Sequence, residues 1–275
     1  MHIQKAYVLK GHVYIKRYSK RSFGAPSKRR ARKEKESPEA MKNYNNQKRS
    51  EKLQLLILNN FDKGFHVTLD YPVDKRPQTY KEAEENLTKV LHKVSRRLKK
   101  QGIQFKYIGV TERGKRAAAL HHHLIIEGHS QILEELMSAW GRHMKVLPMY
   151  EDGCYKDLAD YLVKIETKEE QTKGKSKYHR SRNLKEPIEK MTIRTGPIEN
   201  DPKIPEGYEL VNGSLVNGFN EIVGVRYQKY MLRETEKPKG EQKGKRKKGK
   251  RKKGKRKKGL FGLIRKVFER ERHED

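Results

Sequence analysis

Two histidines separated by a single residue, His121 and His123, carry the clearest chemical potential in this sequence. Residues 121–127, HHHLIIE, have the composition of a β-strand. Successive strand side chains point to opposite faces, so His121 and His123 share a face about 7 Å apart while His122 points away. The residues two positions from His122, Leu120 and Leu124, have no ligating atom, which leaves His121 and His123 as the pair. Residues 105–111, FKYIGVT, read as a preceding strand, joined to the first by a basic loop that contains Gly114. Glu112 sits at the loop end of that strand, within reach of the start of the next, where it adds a carboxylate oxygen. Two nitrogens and one oxygen with open positions suit a working Mg²⁺ or Mn²⁺ better than a closed structural zinc. The plain alternative is a strand whose histidines are ordinary half-buried polar residues.

Forty residues after His121, the segment DLADYLVKIE places Leu158, Leu162 and Ile165 at helical spacing and predicts an amphipathic helix with that stripe on a core. Tyr161 flanks the stripe, and Lys164 follows one turn later along the same side. A tyrosine so placed is also a common core-edge aromatic.

The order of strand, Glu112, loop, His-x-His strand and a helix with Tyr-x-x-Lys resembles the HUH endonucleases. Within them it is similar to the rolling-circle replication initiators of small phages, plasmids and integrative elements. The flanks NYNNQKRSEKLQLLILNNFDKGFHVTLDY and YHRSRNLKEP extend the resemblance over residues 37–233. It implies that His121 and His123 bind a metal with Glu112 as third ligand, that Tyr161 is the nucleophile, and that Lys164 is its helical partner. It departs at His122, where that group carries a bulky hydrophobe, and at HVTLDY, which replaces a more apolar run.

These residues need a scaffold, and the periodicity supplies one. A helix is expected from Ser37-Pro38, as cap and first helical residue, to about Leu58, with Met41, Tyr44, Leu53, Leu56 and Ile57 inward. GFHVTLDY alternates as a half-buried strand in which His66 and Asp70 are expected to face solvent or make hydrogen bonds instead of extending the metal site. A helix over 81–100 buries Ala83, Leu87, Val90, Leu91, Val94 and Leu98, and one over 132–143 buries Leu133, Leu136, Met137 and Trp140. Cys154 is expected to pack, and as the single cysteine it excludes an intrachain disulfide. Residues 207–232 read as two or three short strands with turns at Asn212-Gly213 and Asn217-Gly218. The expected fold is therefore α+β, an antiparallel central sheet with packed helices, the metal-bearing strands central and the tyrosine helix over the site face.

The net charge of +31 is concentrated at the ends. Residues 1–35 hold twelve Lys or Arg against Glu34 alone, and residues 237–258 hold fifteen against Glu241 alone. The expected organisation is a basic N-terminal segment (1–36) that adds an edge strand or stays loose, a catalytic domain (37–233), a basic low-complexity linker (234–258) and a short amphipathic helix (259–275). That last helix suits a partner, the domain itself or an anionic membrane surface. Tyr178 and His179, set among Lys177, Arg180 and Arg182, are candidate stacking groups for single-stranded DNA. No run reaches the ~18 apolar residues of a membrane span, so a place in the cytoplasm of a bacterial host cell is expected.

The resemblance implies site-specific nicking and joining of single-stranded origin DNA through a 5′-phosphotyrosine, with host helicase and polymerase as partners. The sequence has no GxxxxGK[ST] phosphate loop, so unwinding is expected to come from a partner. Other readings are a transposase or mobilisation relaxase of the same chemistry, a zinc hydrolase without a tyrosine adduct, and a DNA-binding protein without activity. Tyr155, six residues before Tyr161, is the weaker second candidate for nucleophile.

Overall fold

In the computed structural model, the described residues are 1–19, 38–61, 63–114, 119–149, 152–167, 178–220 and 225–235. Their elements are β1 (His2–Val8), β2 (His12–Ser19), α1 (Pro38–Asn60), β3 (Gly64–Leu69), α2 (Tyr80–Lys100), β4 (Tyr107–Arg113), β5 (Leu120–Glu127), α3 (Ser130–Trp140), β6 (Met144–Pro148), α4 (Lys156–Thr167), β7 (His179–Arg180), β8 (Ile188–Arg194), β9 (Tyr208–Leu210), β10 (Val216–Asn220) and β11 (Val225–Glu234). The fold is α+β with antiparallel pairing, but the strands form two sheets where one was expected. The smaller has the order β6-β3-β5-β4-β7 and the larger β10-β11-β2-β1-β8, with β9 also on β11.

Helices cover both faces of the smaller sheet. On one side Leu87, Leu91 and Leu98 of α2 and Ile132, Leu136 and Trp140 of α3 pack on Val67, Leu69, Leu124 and Ile126. On the other, Leu53, Leu56 and Ile57 of α1 and Ala159 and Leu162 of α4 pack on Ile108, Val110 and Ile125. Burial on both sides explains why β5 is almost wholly buried along its length. The second core also takes in Tyr14 and Met231 of the larger sheet, so α1 is shared between the sheets. Truncating Leu56, fully buried there, to Ala would cost about 2–5 kcal/mol.

Local signals account for several boundaries. The Thr79 hydroxyl accepts from the Glu82 N–H at 3.2 Å and starts α2. Gly141, in the left-handed region at φ 63°, ends α3. In α3 the buried stripe is Ile132, Leu136 and Trp140, an i, i+4, i+8 row, and Met137, expected inside, is 53% exposed because it lies one residue off that row. The first turns of α1 extend past the core, which leaves Met41 exposed.

Three further expectations are corrected by long-range pairing. Residues 2–19 form a hairpin in the interior of the larger sheet, with β1 between β2 and β8 and β2 between β1 and β11. Residues 144–148, for which no strand was expected, add to the smaller sheet as β6 beside β3. Asn212-Gly213 does turn, with Gly213 at φ 70°, but Asn217-Gly218 lies inside β10. Gly218 faces Tyr227 across the ladder, and a Cβ there would meet the Tyr227 ring at 2.6 Å. Glycine serves close approach at this point. The Ser37 cap, the basic stretch 20–36, the basic linker and the terminal helix 259–275 lie outside the described residues.

Candidate metal centre beside an exposed tyrosine

The β4–β5 register sets Glu112 directly across from His121 and Val110 across from His123. His121, His123 and Glu112 therefore meet on one face at the loop end of the hairpin, where the Gly114 N–H donates to the Ala119 carbonyl at 2.8 Å. His123 Nε2 lies 3.1 Å from Glu112 Oε2 and 3.1 Å from His121 Nε2, and the His121–Glu112 separation is 3.5 Å. All three ligand atoms fall within 4.8 Å of one another.

The donor chemistry fits a divalent cation. His121 Nδ1 donates to the Ala119 carbonyl at 3.3 Å, so its Nε2 lone pair points into the cluster. His123 turns Nδ1 towards His66 Nε2 at 3.2 Å and Thr68 Oγ1 at 3.5 Å. In the tautomer that donates from Nδ1, the His123 Nε2 lone pair points inward too. Burial first, then the neighbouring His121, His66 and His122, push the His123 pKa down to about 3, so the ring is neutral and able to ligate. Two nitrogen lone pairs and a carboxylate directed at one point repel each other unless a cation lies between them.

His122 faces the opposite core. It is fully buried, with Nε2 2.7 Å from Tyr71 Oη and Nδ1 3.0 Å from Thr111 Oγ1. Burial, with smaller effects of His121 and His179, lowers its pKa to about 3. The side of the strand away from the cluster is thus occupied by a neutral, hydrogen-bonded histidine.

Helix α4 brings Tyr161 to the cluster, with Oη 3.4 Å from Glu112 Oε2 and 3.5 Å from His123 Nε2. Its ring meets those of His123 and His66 edge-on. Tyr161 is 43% exposed, which leaves it open to a large substrate. Burial and then the Glu112 carboxylate raise its pKa, so the phenol is protonated. Lys164 is exposed on the same helix, one turn beyond. Leu158 and Leu162 pack inward as expected, while the side chain of Ile165 lies outside the described residues.

The entry to α4 is held by α1. Gln54 donates to the Cys154 carbonyl at 3.0 Å, and Ser50 donates to Asp160, the residue before Tyr161. Cys154 and Tyr155 have φ of 54° and 60°, the left-handed region that is uncommon outside glycine. The turn fixes Tyr155 in the core, 3% exposed, and not on the helix with Tyr161. Cys154 is buried beside it.

His66, expected to face solvent or make a hydrogen bond instead of extending the metal site, is hydrogen-bonded, but to the cluster itself. The β3–β5 register, with Thr68 across from His123, brings it there. Its place was visible only as one phase of the alternation in GFHVTLDY. Asp70 is elsewhere, 3.5 Å from the exposed His143. Tyr178, a candidate stacking group, instead packs half-buried against the core, and Arg180 pairs with Glu186 at 2.7 Å.

The fold and cluster define an α+β domain with a divalent-metal type of donor set facing an exposed tyrosine. Residues 64–179 match the model of the replication-associated protein ORF2 family. The match spans β3 to the start of β7 and so contains Glu112, His121, His123 and Tyr161. It supports a replication-associated role, that of an initiator, with DNA as partner. Comparisons with curated proteins and with solved structures found no match. Among the described residues no helix is long and apolar enough to cross a membrane.

Proposed function

We propose that this protein is a site-specific nicking and joining enzyme for single-stranded DNA that initiates rolling-circle replication. The observation that carries the reading is the approach of Tyr161 Oη to within 3.5 Å of both Glu112 and His123 from a separate helix. Glu112, His121 and His123 would hold Mg²⁺ or Mn²⁺, which when bound supplies positive charge to a scissile phosphate and to the oxygens around it. Tyr161 Oη attacks phosphorus, a Tyr–O–P bond forms, and the bond from phosphorus to the 3′ oxygen breaks. The phenolic proton passes to water, and the departing 3′ oxygen takes up a proton. The products are a 5′-phosphotyrosine and a free 3′-OH that primes a polymerase. Because the ester retains the bond energy, a later 3′-OH can attack it and reseal the strand without ATP. Lys164, one turn from Tyr161, stabilises the phenolate and the charge on the phosphate. The match to a replication-associated family favours replication over transposition or mobilisation.

The test is to incubate 3′-labelled single-stranded origin DNA with the protein and Mn²⁺ and to look for a covalent adduct on denaturing gels. Tyr161→Phe keeps the ring and removes the reacting oxygen, so the adduct and joining disappear together while DNA binding persists. An adduct that survives in Tyr161→Phe and is lost in Tyr155→Phe would move the nucleophile. Cleavage with no adduct in any variant would turn the reading towards activated water.

A further inference from the structure

The larger sheet lies outside the residues matched to the replication family, and so does α1. One face of this sheet and α1 together line a groove of about 1000 Å³. That volume is at the upper end of sites for single small ligands and suits a short stretch of polymer. The strand registers give the face its pattern. Lys5, Lys16 and Lys229 stand side by side across β1, β2 and β11, and the next row is Ile3, Tyr18 and Tyr227. On α1, Tyr44 lines the same groove and Lys48 Nζ sits 4.2 Å from the centre of its ring. Phe219, 62% exposed, lines it from β10. Five lysines line the groove against three glutamates. Glu51 is shared by Lys16 at 3.0 Å and Lys229 at 2.6 Å, which leaves that group of three with a net positive charge.

We propose that this groove is a second nucleic-acid site, one that takes single-stranded DNA by stacking unpaired bases on Tyr18, Tyr44, Tyr227 and Phe219 while the lysines contact phosphates. Interleaved rings and lysines are what a single strand uses and a duplex cannot, because paired bases do not expose their faces. Lys5 is paired with Glu189 at 2.6 Å, as Lys16 and Lys229 are with Glu51, yet five lysines face three glutamates, and an apolar protein partner would desolvate that excess positive charge at a cost. The site deepens the DNA-processing reading above and rests on it. Its place in the fold gives it a use. Glu51 lines the groove while the adjacent Ser50 bonds to Asp160 beside Tyr161, so α1 contacts both the groove and the helix that carries Tyr161. A strand held there lies next to the chemistry without occupying the metal cluster.

The experiment uses the full chain and a fluorescein-labelled oligodeoxythymidylate, in about 0.3 M salt so that the contribution of the basic tails is screened. Photo-crosslinking with iodouracil in the same oligonucleotide, read by mass spectrometry, should map to Tyr18, Tyr44, Tyr227 or Phe219 in the unmodified protein. Tyr44→Ala and Phe219→Ala should each weaken binding about 5- to 150-fold, and Lys48→Gln less. All three should keep the wild-type melting temperature and Mn²⁺ affinity. A duplex of the same sequence should compete poorly. Crosslinks confined to other surfaces, wild-type affinity in both aromatic variants, or equal competition by duplex would each overturn the proposal. The covalent-adduct assay is independent of these outcomes: an adduct at Tyr161 without groove crosslinks removes only the groove, and groove crosslinks without any adduct remove only the nicking chemistry.

Discussion

Replacing His122 by leucine tests the claim that the three consecutive histidines divide into two cluster residues and one structural residue. His122 is fully buried, bonded to Tyr71 Oη at 2.7 Å and to Thr111 Oγ1 at 3.0 Å. Leucine fills the space but leaves the Thr111 hydroxyl, 4% exposed, without that partner. Such an orphaned group costs about 1–3 kcal/mol, and the lost bond to Tyr71, which also bonds Asn86, about 0.5–1.5 more. Apolar burial of leucine offsets about 1–2 kcal/mol. The net loss at pH 7 is therefore about 1–3 kcal/mol, or several degrees in melting temperature. The sign with pH follows from the depressed pKa. Between about 3 and 6.5 the unfolded chain binds a proton at this position and the folded chain does not, so the wild type loses stability as pH falls through that range. From pH 7 to pH 5 the loss from this one group is about 2 kcal/mol, and the leucine variant lacks it. The deficit of the variant should shrink to near zero, or reverse, at pH 5. Urea unfolding at both pH values in EDTA measures this, and Mn²⁺ titration should show unchanged affinity. A variant as stable as wild type at pH 7, or one that no longer binds Mn²⁺, would refute the division of roles. Adding Thr111→Val to His122→Leu should recover stability, because both ends of the broken bond are then apolar.

Three other outcomes are expected. His121→Ala with His123→Ala should abolish Mn²⁺ binding by calorimetry and the proposed nicking of single-stranded origin DNA, and EDTA should have the same effect on the wild-type protein; undiminished nicking by the double variant would exclude the metal role. Lys164→Ala should slow adduct formation about ten- to a hundredfold without changing the product, as expected for removal of one charge from a transition state, and a changed cleavage position would count against it. Deletion of residues 237–275 removes fifteen cations of the arm, so the dependence of DNA affinity on salt should flatten while the cleavage position stays the same; a shifted position would place sequence information in the arm.

The cluster was legible in the sequence because its essential relation is local. Alternation along one strand is a property of the backbone, so His121 and His123 share a face and His122 opposes them whatever surrounds the strand. A short loop between two strands then brings Glu112 opposite His121 with little freedom to do otherwise. The same holds for α2 and for Leu158 and Leu162 of α4, whose apolar spacing indicated that they pack inward. Where burial followed a single long row, as in α2, the inward set was readable; in α3 the choice between Leu133, Met137 and the observed Ile132 row depended on how the helix lies on the sheet.

Strand partners and register, by contrast, are not written in any one segment. Residues 2–19 alternate and carry charge, which fits an edge or a loose arm equally well, and only β8 and β11, some two hundred residues away in the chain, make them interior strands. His66 and Asp70 share one phase of the same alternation, yet the β3–β5 register brings the first to His123, and Asp70, just beyond the strand, turns to His143. Asn217-Gly218 has the composition of a turn and became strand because the Tyr227 ring needed the space that a missing Cβ leaves. In each case two local patterns were equally compatible with the residues, and a contact between distant parts of the chain chose between them. Tyr161 shows both sides of this: its helix followed from spacing, but its approach to Glu112 and His123 depends on α1, which holds the start of α4 through Gln54 and Ser50. A one-residue slip in any of these pairings would turn the side chains to the opposite face, so the tertiary register, and not the composition of the strands, decides what the site contains.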